Sequence, residues 1–66
     1  MFVSANGRDT ELRDGALLVE LIEQLGLGER WVVAEVNGEA VDRPRMSTLV
    51  LADGDKVELV RAVAGG

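Results

Sequence analysis

The chain has 66 residues, of which 47% are hydrophobic, and seven basic against twelve acidic side chains leave a net charge of −5. This length allows one small domain but not a core together with a deep catalytic cleft, and the absence of Cys and His removes disulfides, the usual zinc ligands and most nucleophile-base pairs. The acidic balance makes nucleic acid and anionic membranes poor partners, so we expect neither.

A β-hairpin is predicted at the start of the chain. Asn6-Gly7 suits a type I′ turn, because both central residues of that turn take positive φ. Met1 to Ala5 and Thr10 to Arg13 are the two predicted strands. This N-terminal segment has neither the charged region nor the long apolar stretch of a signal peptide, and no apolar run approaches a membrane span, so we expect a cytoplasmic protein.

The next element is predicted to be a helix, because apolar residues follow the spacing i, i+1, i+4, i+5 and i+8 on one side of it: Leu17, Leu18, Leu21, Ile22 and Leu25. Asp14 is expected to cap the helix or to favour the positive end of its dipole. Gly26 fits the left-handed residue that ends a helix.

A second hairpin is predicted around Asn37-Gly38, with Trp31 to Val36 and Glu39 to Val41 as its strands. The segment 42–45 contains Pro44 and breaks the strand pattern. Residues 46–48 are then either irregular or a single helical turn.

The last strand is predicted from Lys56 to Val63, after the turn at Asp53-Gly54. Asp53 and Asp55 are better explained by this turn than by acid-base catalysis. The order strand, strand, helix, strand, strand, strand is that of an α+β, ubiquitin-like β-grasp fold, in which a mixed sheet of four to five strands packs on one helix. We expect residues 1–66 to form one such domain with a flexible tail at 63–66.

Strand alternation assigns a face to each residue of the predicted sheet. The helix-facing set is Val3, Ala5, Leu12, Val32, Ala34, Val36, Val57 and Leu59. The opposite parity places five apolar residues on the open face of the sheet: Phe2, Trp31, Val33, Val60 and Ala62. On an acidic domain such a patch is a candidate docking surface, and the alternative is a set of scattered exposed hydrophobes.

The chain ends on Gly65-Gly66 directly after the last predicted strand. Two residues without side chains present a bare backbone and an unhindered terminal carboxylate, which a narrow active-site channel of another protein could accept. The alternative is a frayed terminus that happens to contain glycine.

These segments, in this order, resemble the ubiquitin-like sulfur carriers and, within them, the ThiS-type carriers of thiamine biosynthesis. The matching parts cover the whole chain: Asn6-Gly7, Gly15 before a Leu-rich helix, Val36 to Val41, Asp53 to Leu59, and Gly65-Gly66. Two features depart from the family pattern. Leu17 stands where the family usually has Thr at the start of the helix, and Pro44 is displaced by two positions from its usual place.

The resemblance implies a carrier, not an enzyme, with no catalytic residue, metal or cofactor of its own. An E1-like activating enzyme of the ThiF type would use ATP to adenylate the carboxylate of Gly66, and a persulfide-derived sulfur would displace AMP to leave a thiocarboxylate. The sulfur would pass to a thiazole synthase of the ThiG type. Gly65 and Ala64 would give the tail access to the partner.

Four other functions share the predicted fold, and the sequence leaves them open. The chain could be the small subunit of molybdopterin synthase or a sulfur carrier of another pathway. It could be a ubiquitin-like modifier whose Gly66 becomes linked to lysines. A passive β-grasp interaction module is the remaining class, and it predicts that removal of the terminal glycines changes nothing.

Overall fold

The computed structural model describes residues 1–28 and 32–61. Within these residues five strands form one sheet: β1 (Phe2–Ala5), β2 (Arg8–Glu11), β3 (Val32–Val36), β4 (Glu39–Val41) and β5 (Lys56–Arg61). The same residues contain helix α1 (Leu18–Gln24) and the one-turn helix α2 (Arg43–Met46). Parts of three predictions lie outside them: Trp31 at the start of the third strand, Ala62 and Val63 at the end of the last, and the tail at 63–66.

The strands lie in the order β2-β1-β5-β3-β4, so the last strand is the central one. β5 pairs parallel to β1 and antiparallel to β3, and the two hairpin pairs, β1 with β2 and β3 with β4, are antiparallel. The predicted mixed sheet is therefore confirmed, and the last strand returns parallel to the first. This is the β-grasp arrangement.

Both hairpins turn at their Asn-Gly pairs, as predicted. Asn6 and Gly7 have φ of 51° and 82°, and Asn37 and Gly38 have φ of 52° and 85°. The prediction that the second strand begins at Thr10 was wrong. β2 begins at Arg8, the register partner of Ala5, because a two-residue turn returns the chain directly into the ladder.

Helix α1 begins without a cap from Asp14, so that part of the prediction was wrong. The alternative, that Asp14 favours the positive end of the helix dipole, stays a prediction. Leu17 occupies the cap position, and its side chain has no oxygen with which to accept a hydrogen bond. Glu20 supplies one of the two hydrogen bonds of a capping box. Its Oε2 accepts from the backbone N–H of Leu17 at 2.9 Å. Asp14 instead lies 3.2 Å from the N-terminal ammonium of Met1.

The core fills the space between α1 and the covered face of the sheet. Its buried hydrophobic residues are Val3, Ala5, Leu12, Ala16, Leu18, Leu21, Ile22, Val32, Ala34, Val41, Met46, Leu51, Val57 and Leu59. Strand alternation predicted the helix-facing set well, although Val36 is only half-buried. On α1 the predicted apolar side was too wide. Leu25 is 41% exposed and Leu17 is half-buried, because the helix ends at Gln24 and only its central turns face the sheet.

The strand pattern breaks after β4, as predicted, and the chain then forms the one-turn helix α2 at Arg43–Met46. The single helical turn considered for residues 46–48 therefore begins three residues earlier. Asp42 begins this turn, and its Oδ1 accepts from the backbone N–H of Arg45 at 3.1 Å. Pro44 is tolerated in the first turn, where its missing N–H has no intrahelical partner. Met46 at the end of α2 is buried in the core.

The ion pair at the start of α1 predicts a response to acid. The Arg13 side chain donates to Glu20 at 2.6 and 2.8 Å, and this contact, followed by the Leu17 N–H, lowers the pKa of Glu20 from 4.5 to about 2. A carboxyl whose pKa is lower in the folded state stabilises the fold above pH 4.5, and this contribution is lost as pH falls towards 2.

We therefore expect Glu20→Gln, which keeps an acceptor for Leu17, to lose less stability than the native chain between pH 4.5 and 2. The measurement is the urea midpoint across that range. Glu23→Gln on the same helix is the control and should follow the native curve. Parallel curves for the native chain and Glu20→Gln would contradict the assignment.

Two leucines in or next to α1 differ in burial, so the same substitution at each one tests the contribution of the core. Leu21 is fully buried and Leu25 is 41% exposed, so the same truncation removes core contacts at only one of them. We expect Leu21→Ala to lower the free energy of unfolding by about 2–5 kcal/mol and Leu25→Ala by about 0.5 kcal/mol or less. Because a domain of this size has a net stability of only about 3–5 kcal/mol, Leu21→Ala should be largely unfolded by circular dichroism at 37 °C. Equal losses would contradict the described packing.

Candidate functional site

Strand β5, which leads to the C-terminal tail, is paired over a longer stretch on one side than on the other. β3 pairs along β5 from Val57 to Arg61. β1 ends at Ala5, the register partner of Val57, so among the described residues no strand pairs with the β1 side of β5 beyond that point. The last part of β5 therefore projects past the end of β1.

The side chain of Asn6 continues the ladder where β1 stops. Its Oδ1 accepts from the Leu59 N–H at 2.7 Å, and its Nδ2 donates to the Leu59 carbonyl at 3.1 Å. Its own backbone N–H donates to the Val57 carbonyl at 2.9 Å. One residue thus satisfies both backbone groups of Leu59, and we call this contact the Asn6 clamp.

Asn37, the equivalent residue of the second hairpin, holds the other end of β5. Its Oδ1 accepts from the Lys56 N–H at 2.9 Å, and its Nδ2 donates to Asp55 Oδ1 at 3.0 Å. Asp55 in turn accepts from the Ala52 N–H at 2.7 Å. From sequence these asparagines were read only as turn residues. The sequence offers one indication of these contacts, which is the presence of Asn and not Gly or Asp at the first position of each turn. This indication does not show which strand the Asn side chain will contact.

The residues predicted to carry the chemistry, Gly66 with Gly65 and Ala64, lie outside the described residues. The described chain ends at Arg61, which is exposed. Gly66 is five residues beyond Arg61, and covalent geometry limits the distance between them to about 17 Å. Any site that takes up Gly66 must therefore lie within that distance of Arg61.

Of the five apolar residues predicted for the open face, the structure brings two together. Val33 and Val60 are register partners and are 55% and 63% exposed. Phe2 is also exposed, but its carbonyl accepts from the Gly54 N–H at 2.8 Å, at the opposite end of β5. Ser4 pairs with Lys56, so Phe2 lies two residues before that pair and Val60 four residues beyond it. At about 3.3 Å per residue they are about 20 Å apart and do not form one patch. Trp31 and Ala62 lie outside the described residues.

The rest of the open face is acidic. Glu35 and Glu58 are register partners on β3 and β5, directly beside Val33 and Val60. Asp9 and Glu11 lie on the same face of β2, because they pair with Ser4 and Phe2. Lys56 is the one basic residue that the described strands contribute to this face. Nothing in the sequence pattern distinguishes these four carboxylates from other solvated acidic residues.

The other candidate chemical features have structural roles. Asp55 accepts from the Ala52 N–H within the turn, as predicted, and from Asn37. Asp53 Oδ1 accepts instead from the Phe2 N–H at 2.8 Å, a contact with β1 and not with the turn. Among residues 1–28 and 32–61, no group of three or more His, Cys, Asp and Glu could hold a metal. No helix in these two ranges is long and apolar enough to cross a membrane.

The surface also has a cavity of about 330 Å³ beside the second hairpin, lined by residues that include Arg45, Leu49 and Asp55. Asp55 precedes β5, so this cavity lies at the end of the strand away from Arg61. It does not adjoin the segment that leads to the tail.

The sheet order, the covering helix and the projecting central strand define a ubiquitin-like β-grasp protein. Comparison with known families is more specific, because the model of the ThiS family matches residues 2–66. The chain belongs to the ThiS family. Members of this family are small carrier proteins, and membership supports a sulfur carrier of thiamine biosynthesis.

Two solved structures agree with this assignment. The crystal structure of thiamine biosynthesis protein ThiS from Geobacter metallireducens has 28% sequence identity and a TM-score of 0.82, with 100% of each chain covered. A solution structure of a thiamine biosynthesis protein from the same organism has 28% identity and a TM-score of 0.80. That alignment covers 100% of this chain and 88% of the other chain. No curated protein matched the chain.

The Asn6 clamp can be tested by Asn6→Gly, because Gly keeps the positive φ of the turn and removes only the side chain. The Leu59 N–H and carbonyl would then lose their partners, so we expect a loss of about 1–3 kcal/mol in stability and faster hydrogen exchange at Leu59. The control is Asn37→Gly, which makes the same change at φ 52°. It should accelerate exchange at Lys56 more than at Leu59. Identical exchange patterns in the two variants would contradict a local clamp.

Proposed function

We propose that this sulfur carrier works through the carboxylate of Gly66, which a partner enzyme adenylates and converts to a thiocarboxylate for synthesis of the thiamine thiazole. The observation that carries the proposal is the match to the ThiS family over residues 2–66, which includes Gly65-Gly66. The described fold supports it, because the strand that leads to these residues is central in the sheet and held at Asn6 and Asn37.

The chemistry explains why a partner is needed. A terminal carboxylate has a pKa of about 3.3–3.7, so at neutral pH it is an anion and a poor electrophile. An activating enzyme of the ThiF type would join it to the α-phosphate of ATP and release pyrophosphate. The terminal sulfur of a persulfide then attacks the acyl carbon and AMP leaves. A thiol reduces the resulting acyl disulfide, which leaves the thiocarboxylate and a new disulfide.

The proposal assigns one role to the C-terminal tail and another to the open face of the sheet. Gly66 is the chemical centre, and Gly65 and Ala64 keep the approach narrow, since any larger side chain would widen a segment that must enter a channel. The open face is the grip, centred on Val33 and Val60, with Trp31 and Ala62 included from the sequence pattern. Phe2 lies too far along the sheet to share one contact with them. A thiazole synthase of the ThiG type would be the sulfur acceptor.

Removal of Gly66 tests the proposal directly. The purified chain is incubated with a ThiF-type enzyme, ATP and a persulfide donor, treated with iodoacetamide and measured by intact mass. Because the chain contains no Cys, ready alkylation reports a thiocarboxylate. We expect ATP-dependent alkylation of the native chain and none, a loss of at least about a hundredfold, without Gly66.

The control is Leu25→Ala, an exposed change with the tail intact, which should be alkylated like the native chain. Alkylation that survives deletion of Gly66 would place the chemistry elsewhere. An unmodified native chain, under conditions in which the same enzyme modifies a known carrier, would refute the proposal.

A further inference from the structure

Four open-face residues near the end of β5 form a compact block. Val33 lies opposite Val60, and Glu35 lies opposite Glu58, so an apolar row stands beside an acidic row. Directly opposite side chains have Cβ atoms about 5 Å apart, and the two rows are about 7 Å apart along the strands. The apolar row is the one nearer to Arg61. We call these four residues the Val-Glu block.

The acidic row is unfavourable for the isolated sheet. Like charges directly opposite each other on neighbouring strands destabilise the pair. Lys56 offers little compensation, since its Nζ is 3.9 Å from Glu58 Oε1 and the two side chains are 68% and 44% exposed to water. Glu35 makes no ion pair with any residue in the described ranges. Within residues 1–28 and 32–61, these two opposed carboxylates therefore have Lys56 as their single, weak positive neighbour.

We propose that the Val-Glu block is a docking site for a protein surface that carries an arginine next to an apolar side chain. The guanidinium bridges Glu35 and Glu58, and the apolar side chain covers Val33 and Val60. The partner is the activating enzyme, so this inference rests on the proposed function above. What it adds is the chemistry of the contact and the residues that select the partner.

Charge and geometry together favour this occupant. Arginine presents several donors in a planar fork, which can reach two carboxylates at once, and it desolvates more easily than lysine. The open face carries Asp9, Glu11, Glu35 and Glu58 against Lys56, so the described part of it attracts a basic surface and repels a second copy of this chain. The block also lies at the end of β5 that leads to Gly66, within reach of a partner that takes up the tail.

The test is a pair of double variants with the same change in net charge. Glu35→Gln with Glu58→Gln neutralises the acidic row, and Asp9→Asn with Glu11→Gln neutralises two carboxylates on β2 of the same face. Pyrophosphate release by the ThiF-type enzyme is measured against carrier concentration, and thermal unfolding is measured for each chain. Because the first pair also removes a repulsion, it should unfold at the native temperature or above.

We expect the Glu35 and Glu58 pair to raise KM about tenfold with kcat unchanged, equivalent to 1.4 kcal/mol of binding. The Asp9 and Glu11 pair should raise KM less than about twofold, and the difference between the two should shrink in high salt.

Equal KM values for all three chains, or an equal rise in both double variants, would overturn the proposal, since the second result would mean that only the overall field matters. A native chain that the enzyme does not activate would instead refute the proposed function, and this docking site with it. Activation with KM insensitive to Glu35 and Glu58 refutes the docking site alone.

Discussion

The position of β5 between β1 and β3 is the constraint on which the rest of the structure depends. The strand is parallel to one neighbour and antiparallel to the other, so the chain must leave the first hairpin, cross the sheet and return through its centre. That crossing places α1 over one face, where Val57 and Leu59 of β5 meet Leu21 and Ile22 in the buried core. The opposite face is left open. One pairing pattern thus fixes which side of the sheet is core and which side is available to a partner.

Much of this fold could be predicted from local signals, because each signal has a local physical cause. Asn-Gly turns require positive φ at both positions, and alternation in a half-covered strand sorts Val57 from Val60 without any tertiary information. The helix ends were less accessible. The side chain of Asp14 could accept a capping hydrogen bond, but it lies beside the N-terminal ammonium. The backbone N–H of Leu17 instead donates to Glu20, three residues further along the chain. Spacing shows which residues can cap, and only the path of the chain shows which one does.

The candidate site also has features that the sequence predicts and features that it does not. Exposure of Phe2, Val33 and Val60 follows from parity, and it was predicted correctly. Their distances from each other depend on register between strands far apart in sequence, and that register separates Phe2 from the two valines. The same register brings Glu35 opposite Glu58, a relation that neither strand shows by itself. Gly66 was predicted from the end of the chain and from family resemblance, whereas the Asn6 clamp joins residues 53 positions apart and has no local signal in the sequence.

The parallel pairing of β1 with β5 also has a consequence for synthesis on the ribosome. Register partners Ser4 and Lys56 are 52 positions apart, so the first hairpin emerges long before the strand that completes the sheet. Contacts of such long sequence separation form late and slowly in folding. A nascent chain interrupted before β5 has a helix without a complete sheet beneath it and stays a substrate for proteases. Because β5 pairs with β1 on one side and β3 on the other, the strand that leads to the tail takes its final position only when both hairpins are in place.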